Sequence, residues 1–105
     1  MSISLENTSK FSEKIGDTSW YSWTAYISCS EPDSLDDIKF VEYHLHPTFK
    51  NPIRRIFKKD GGFPFKTRGW GVFNLRAHVV FKDERRKPEL LEHFLQFNIG
   101  QQMGK

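Results

Sequence analysis

The chain has 105 residues, enough for one compact domain with one small core and too few for two. Ten Phe, three Trp and three Tyr supply more aromatic surface than a core of this size readily hides, which leaves some of it for binding. The net charge of +3 is modest, and the lone Cys29 excludes a disulfide scaffold, a multi-cysteine metal centre and a redox pair.

In chain order, residues 1–18 are polar, rich in Ser, Glu and Lys, and weakly periodic, which predicts a flexible leader or an edge segment ahead of the domain proper over 19–105. From Trp20 to Cys29 the residues alternate, with Tyr21, Trp23, Ala25 and Ile27 on one side and Ser22, Thr24 and Tyr26 on the other, the signature of a half-buried strand. Ser30–Asp37 holds Pro32 and four acidic residues and reads as a turn, with Ser34 able to start one helical turn. Ile38–His46 alternates again and stops at Pro47, which has no N–H to donate to a ladder. Between Pro47 and Gly71, three glycines and two prolines predict a segment dominated by turns, with one short strand near Ile56. Val72–Phe81 is the clearest strand, with Phe73, Leu75, Ala77, Val79 and Phe81 inward. Leu90–Ile99 alternates too; helix propensity competes there, but the alternation persists and favours strand. Strands separated by turns, without βαβ spacing, predict an antiparallel sandwich.

Charge is uneven along the chain. Residues 1–49 carry three basic and eight acidic groups, whereas residues 50–68 carry seven basic and one acidic. Lys50, Arg54, Arg55, Lys58, Lys59, Lys66 and Arg68 thus predict a basic loop, either solvated or facing an acidic partner. Interleaved with Phe57, Phe63 and Phe65, the loop also has the composition that stacks bases and tracks phosphates, so nucleic-acid binding is the rival reading.

Two stretches at strand ends are chemically unusual: His46-Pro47-Thr48-Phe49 and Gly69-Trp70-Gly71. The glycines allow a sharp bend and close approach to the peptide of Trp70, and its indole either walls a slot or plugs the end of the sandwich. Together, Val41-Glu42-Tyr43-His44-Leu45-His46-Pro47-Thr48-Phe49, Asn51-Pro52, Gly69-Trp70-Gly71-Val72-Phe73 and Phe81-Lys82 resemble the YEATS domain pattern from about Trp20 to Phe97. The Gly-Trp-Gly turn is most similar to the prokaryotic branch of that family.

The resemblance implies an all-β, immunoglobulin-like antiparallel sandwich of about seven to eight strands and a non-catalytic reader role, since eukaryotic members take acylated lysines of histone tails between aromatic rings. Carried onto this sequence, Phe49 and Trp70 would be two walls and Thr48 would supply a hydroxyl to the acyl-lysine amide. His46 would orient that hydroxyl, and the Trp70 N–H, between Gly69 and Gly71, would donate to the acyl carbonyl. Trp20 is the nearest aromatic for a third wall, although the family pattern counts back to Ser19. A structural interaction domain with a closed slot is the further alternative.

The remaining chemistry is sparse. His44 and His46 share a strand face, but with His78 and His93 they form neither a cysteine-containing cluster nor a His-x-x-x-His helix, so no metal or cofactor is expected. No Gly-x-Ser-x-Gly elbow or phosphate-cradling loop occurs, and an enzyme is not expected. With no run of roughly 20 apolar residues and no apolar leader, the expectation is a cytoplasmic protein with protein or peptide partners and no membrane partner.

Overall fold

A computed structural model describes residues 3–97. Seven strands form: β1 (Ile3–Ile15), β2 (Thr18–Cys29), β3 (Ile38–His44), β4 (Ile53–Ile56), β5 (Phe65–Gly69), β6 (Asn74–Phe81) and β7 (Glu89–Phe94), with a 3-10 turn at Pro32–Asp37. A three-stranded sheet, β1-β2-β5, packs on a four-stranded sheet, β4-β3-β6-β7, and every paired neighbour is antiparallel. This is the expected sandwich, and no helix of the described residues is long and apolar enough to cross a membrane.

The period-2 pattern accounts for the core. Tyr21, Trp23, Ala25 and Ile27 of β2 face Val41 and Tyr43 of β3 and Leu75, Ala77, Val79 and Phe81 of β6, all of them buried. Tyr43 brings a hydroxyl into this core and donates it to the Phe63 carbonyl at 2.6 Å; burial raises the phenol's pKa above its ordinary value, so it stays a donor. That bond holds Phe63 in a left-handed conformation (φ 55°), a backbone state that costs about 1–2 kcal/mol outside glycine. The preceding Gly62 (φ 87°) has no such freedom to change, because a Cβ there would lie 2.3 Å from the Ile27 carbonyl oxygen.

Three expectations are sharpened. Of the two readings of the N-terminal segment, the edge segment is the one that forms: strand β1 pairs with β2 along its length, with a bulge between Phe11 and Glu13. Its polar inward residue Asn7 bonds across the open edge: its amide nitrogen donates to the Gln96 carbonyl at 2.8 Å, and its oxygen accepts from the Gln96 N–H at 3.0 Å and pairs with His93 Nε2 at 2.7 Å. A strand whose inward row includes such a residue hides from hydrophobic periodicity.

The segment between Pro47 and Gly71 is turn, bend or irregular for most of its length, as expected, but holds one strand more than expected. It contains β4 as expected near Ile56 and also β5, which five flanking or interior Gly and Pro residues conceal. The basic residues are therefore not one loop: Lys50 lies in a turn, Arg54 and Arg55 on β4, Lys58 and Lys59 in the loop after it, and Arg68 on β5 of the opposite sheet. Phe63 and Phe65 are core residues, 1% and 6% exposed, and are not stacking platforms.

At the C-terminal end, β7 stops at Phe94, after which the Leu95 N–H donates to the Phe73 carbonyl at 3.0 Å and its side chain closes the core. Asn98 and Ile99 lie outside the described residues.

Candidate functional site

At one end of the sandwich, the chain leaving β3 and the β5–β6 connection converge on a cleft of about 410 Å³. It is lined by His46, Thr48, Phe49 and Lys50 from the chain after β3, by Gly69, Trp70, Gly71, Val72 and Phe73 from the end of β5 and its connection to β6, and by Trp20 and Arg68 of the three-stranded sheet. Every slot residue singled out from the sequence is thus brought into one place, including Trp20.

The β3 ladder ends at His44, two residues short of the expected His46, because the Leu45 N–H already bonds the Pro52 carbonyl at 2.7 Å; the chain then turns at Pro47, where the Phe49 N–H donates to the His46 carbonyl at 2.9 Å. The Thr48 N–H donates to His46 Nδ1 at 3.2 Å, and Thr48 Oγ1 lies 2.9 Å from the same nitrogen. A backbone N–H only donates, so Nδ1 carries a lone pair and the imidazole proton sits on Nε2. The Thr48 hydroxyl must then point its proton at Nδ1, which leaves the oxygen's lone pairs as acceptors for a ligand N–H.

Phe73 backs both halves of this turn. Its ring lies 5.9 Å from the His46 ring and 5.7 Å from Phe49, and its other side meets Trp23 edge-on at 6.1 Å. Sequence alternation assigns Phe73 only to the core; its contact with His46 depends on where the β5–β6 connection runs, which no local pattern records.

Trp70 is 64% exposed, so it does not plug the sandwich, and Phe49, which lines the same cleft, is half-buried. Neither Gly69 nor Gly71 has a positive φ; a Cβ on Gly69 would meet Trp23 Nε1 at 3.5 Å and the Phe49 ring at 3.9 Å, and one on Gly71 would meet nothing within 4 Å. The chain bends at Trp70 and Gly71 as expected, but neither a positive φ nor a clash requires glycine on either side of the indole. Trp20 carries the Arg68 guanidinium over its ring at 5.2 Å, and Arg68 in turn donates to Glu13 at 2.9 Å. The third side of the cleft is thus a cation stacked on an indole.

The other basic residues are mostly engaged with their own chain. Arg54 donates to the carbonyls of Lys50 and Asn51 at 3.0 and 2.6 Å, Arg55 to Glu42 at 2.7 Å, and Lys59 to Asp36. Arg55 and then His44 hold the Glu42 carboxyl below its usual pKa, and Lys59 does the same for Asp36. Such bonds on exposed side chains are individually weak, but they direct these cations toward carboxylates and carbonyls of their own chain.

Comparisons with known proteins agree with this architecture. The family model of the prokaryotic YEATS domain matches residues 21–96. The transcription initiation factor TFIID subunit 14 of Schizosaccharomyces pombe is 35% identical over 79 residues, 71% of this chain and 32% of that protein. The chain accordingly spans about a third of the length of the curated relatives it matches. Among solved structures, the Yaf9 YEATS domain recognising an H3K122suc peptide is 28% identical with a TM-score of 0.74, covering 91% of this chain and 72% of that one. The Yaf9 YEATS domain bound to H3K27ac is also 28% identical, with a TM-score of 0.73 and coverage of 90% and 70%; Yaf9 is the yeast AF-9 homolog. A sandwich with this topology, this His-x-Thr-Phe turn opposite a Gly-Trp-Gly connection, and a family match over most of its length belongs to the YEATS domain family.

Proposed function

We propose that the chain is a non-catalytic reader whose cleft takes the flat amide of an acylated lysine on a peptide, between Phe49 and Trp70. The observation that carries this reading is the Thr48 hydroxyl, whose proton is committed to His46 and whose lone pairs line the cleft beside both rings. An acyl-lysine side chain ends in an amide N–H that suits such an acceptor and a planar group that suits the rings. Unmodified lysine offers a hydrated ammonium instead, which loses water on entering a slot between rings. The relatives solved with acetylated and succinylated histone peptides support the same ligand class.

Lys50 lines the cleft and favours acidic residues beside the acylated lysine, or an acyl chain ending in a carboxylate. The hydroxyl–imidazole pair alone does not make a nucleophile: among the described residues no carboxylate is hydrogen-bonded to His46, so the third member of a catalytic triad is missing. The unpaired Cys29 fits a reducing, intracellular setting.

Nucleic-acid binding receives less support, because Phe63 and Phe65 are in the core and Arg55, Lys59 and Arg68 are paired with carboxylates. Titration of one peptide sequence carrying acetyl-, crotonyl-, succinyl- or unmodified lysine tests the reading. Acylated peptides should bind at least about tenfold more tightly than the unmodified one, a difference of 1.4 kcal/mol. Equal affinity across the panel, or none, would overturn it.

A further inference from the structure

The outer face of the four-stranded sheet carries a second cluster, remote from the cleft in function and built from different strands. Glu42 and His44 stand two residues apart on β3, so both side chains point to the same face. The β3–β6 register sets Glu42 directly opposite His78, which therefore projects beside them. All three are half-buried, and one donor atom from each lies within 4.8 Å of the other two.

We propose that Glu42, His44 and His78 form a binding site for a divalent transition-metal ion of the zinc type. Two neighbours on one strand and a third across the ladder give three ligands converging from one side, and solvent fills the fourth position of a tetrahedron. Two imidazoles and one carboxylate select borderline ions such as Zn²⁺, Co²⁺ or Ni²⁺ over Mg²⁺ and Ca²⁺, which prefer all-oxygen shells.

The surroundings suit this role. Arg55 donates to Glu42 Oε2 at 2.7 Å, which orients the carboxylate and leaves Oε1 toward the histidines. His44 Nε2 lies 2.8 Å from that Oε1. Arg76, opposite His44 in the register, is the one other cation facing the cluster from β6, and Glu92 of β7 engages it at 3.3 Å.

Two changes are required: the ion displaces to solvent the proton that His44 Nε2 donates to the Glu42 carboxylate, and the rings reorient. The His44 and His78 rings are stacked at 4.5 Å with an 11° interplanar angle, whereas a metal lies in the plane of each ring it binds. Metal–nitrogen bonds of about 2.0–2.1 Å separate tetrahedral ligands by roughly 3.3 Å, so the donors must close in by about 1.5 Å at most. Rotation of His78 about its side-chain bonds supplies that movement on the solvent-facing side of the sheet without touching the core.

Zn²⁺ titration of the full chain, freed of any affinity tag, followed by calorimetry and by histidine-ring NMR, tests the site. The expected result is one Zn²⁺ per chain, joint shifts of the His44 and His78 rings, binding at least about tenfold weaker in both His78→Ala and Glu42→Gln, and no saturable uptake of Mg²⁺. No saturable Zn²⁺ binding, or binding unchanged by either substitution, would overturn the proposal. Where a variant fails to fold, the wild-type spectrum decides: Zn²⁺-induced shifts at His44 and His78 together support the site, and shifts confined to His46 or His93 refute it.

Discussion

His46 Nδ1 and Thr48 Oγ1 lie 2.9 Å apart, and because the Thr48 N–H donates to the same nitrogen, the hydroxyl can only donate to it. A flexible rotor thereby becomes a fixed acceptor at the edge of an aromatic cleft. Thr48→Val, which keeps the shape and deletes the hydroxyl, should weaken acyl-lysine binding by about tenfold, or 1–2 kcal/mol, while Thr48→Ser stays within a few-fold of wild type. Calorimetry on the two variants checks this, and equal losses in both would detach the hydroxyl from binding.

Trp70 is 64% exposed, so its indole contributes little to folding. Trp70→Ala should leave the thermal midpoint within about 2 °C of wild type and reduce acyl-peptide affinity by roughly tenfold or more. Thermal denaturation alongside the same titration separates the two effects.

Gly62 and Gly71 make a contrasting pair. At Gly62 a Cβ would lie 2.3 Å from the Ile27 oxygen, and φ is 87°, so Gly62→Ala should cost roughly 3 kcal/mol or more through strain and lost β2 hydrogen bonding. At Gly71 a Cβ would meet nothing within 4 Å, and Gly71→Ala should change stability by less than about 0.5 kcal/mol. Urea unfolding of the two variants gives the comparison.

Burial holds the His93 pKa below its ordinary value of 6.5, where its Nε2 pairs with Asn7 Oδ1 at 2.7 Å. The unfolded chain then binds a proton more readily than the folded one. This contribution to stability is complete above pH 6.5 and is lost as pH falls from there toward the folded-state pKa. Urea midpoints at pH 7.5 and 5.5 should show lower stability at the acid value. Asn7→Ala, which removes the bonds joining β1 to His93 and Gln96, should cost about 1–2 kcal/mol at neutral pH.

How much of this is legible in the sequence depends on where each residue's partner lies. β2, β3 and β6 are legible because their inward rows are uniformly apolar and their partners lie directly across the sandwich. β1 is not, because Asn7 occupies an inward position and finds its partners on and just after β7. β5 is hidden by the glycines and prolines that let it switch sheets after β4.

The cleft is legible as two short motifs that meet at one end of the sandwich, but the support from Phe73 and the Arg68–Trp20 stack arise only when strands from opposite sheets are assembled. Histidine pairing is misleading for the same reason. His44 and His46 share an alternation pattern, yet Pro47 turns His46 toward Thr48 while the β3–β6 register stacks His44 on His78.

A two-dimensional ¹⁵N NMR titration of the chain with an acetyl-lysine peptide and its unmodified counterpart tests the reader function of the cleft most directly. Saturable shifts are expected at the Thr48, Phe49 and Trp70 amides and at the Trp70 indole N–H with the acetylated peptide only. Shifts of the same size with both peptides, or shifts centred on Arg54, Arg55 and Lys58 with the cleft unaffected, would contradict it.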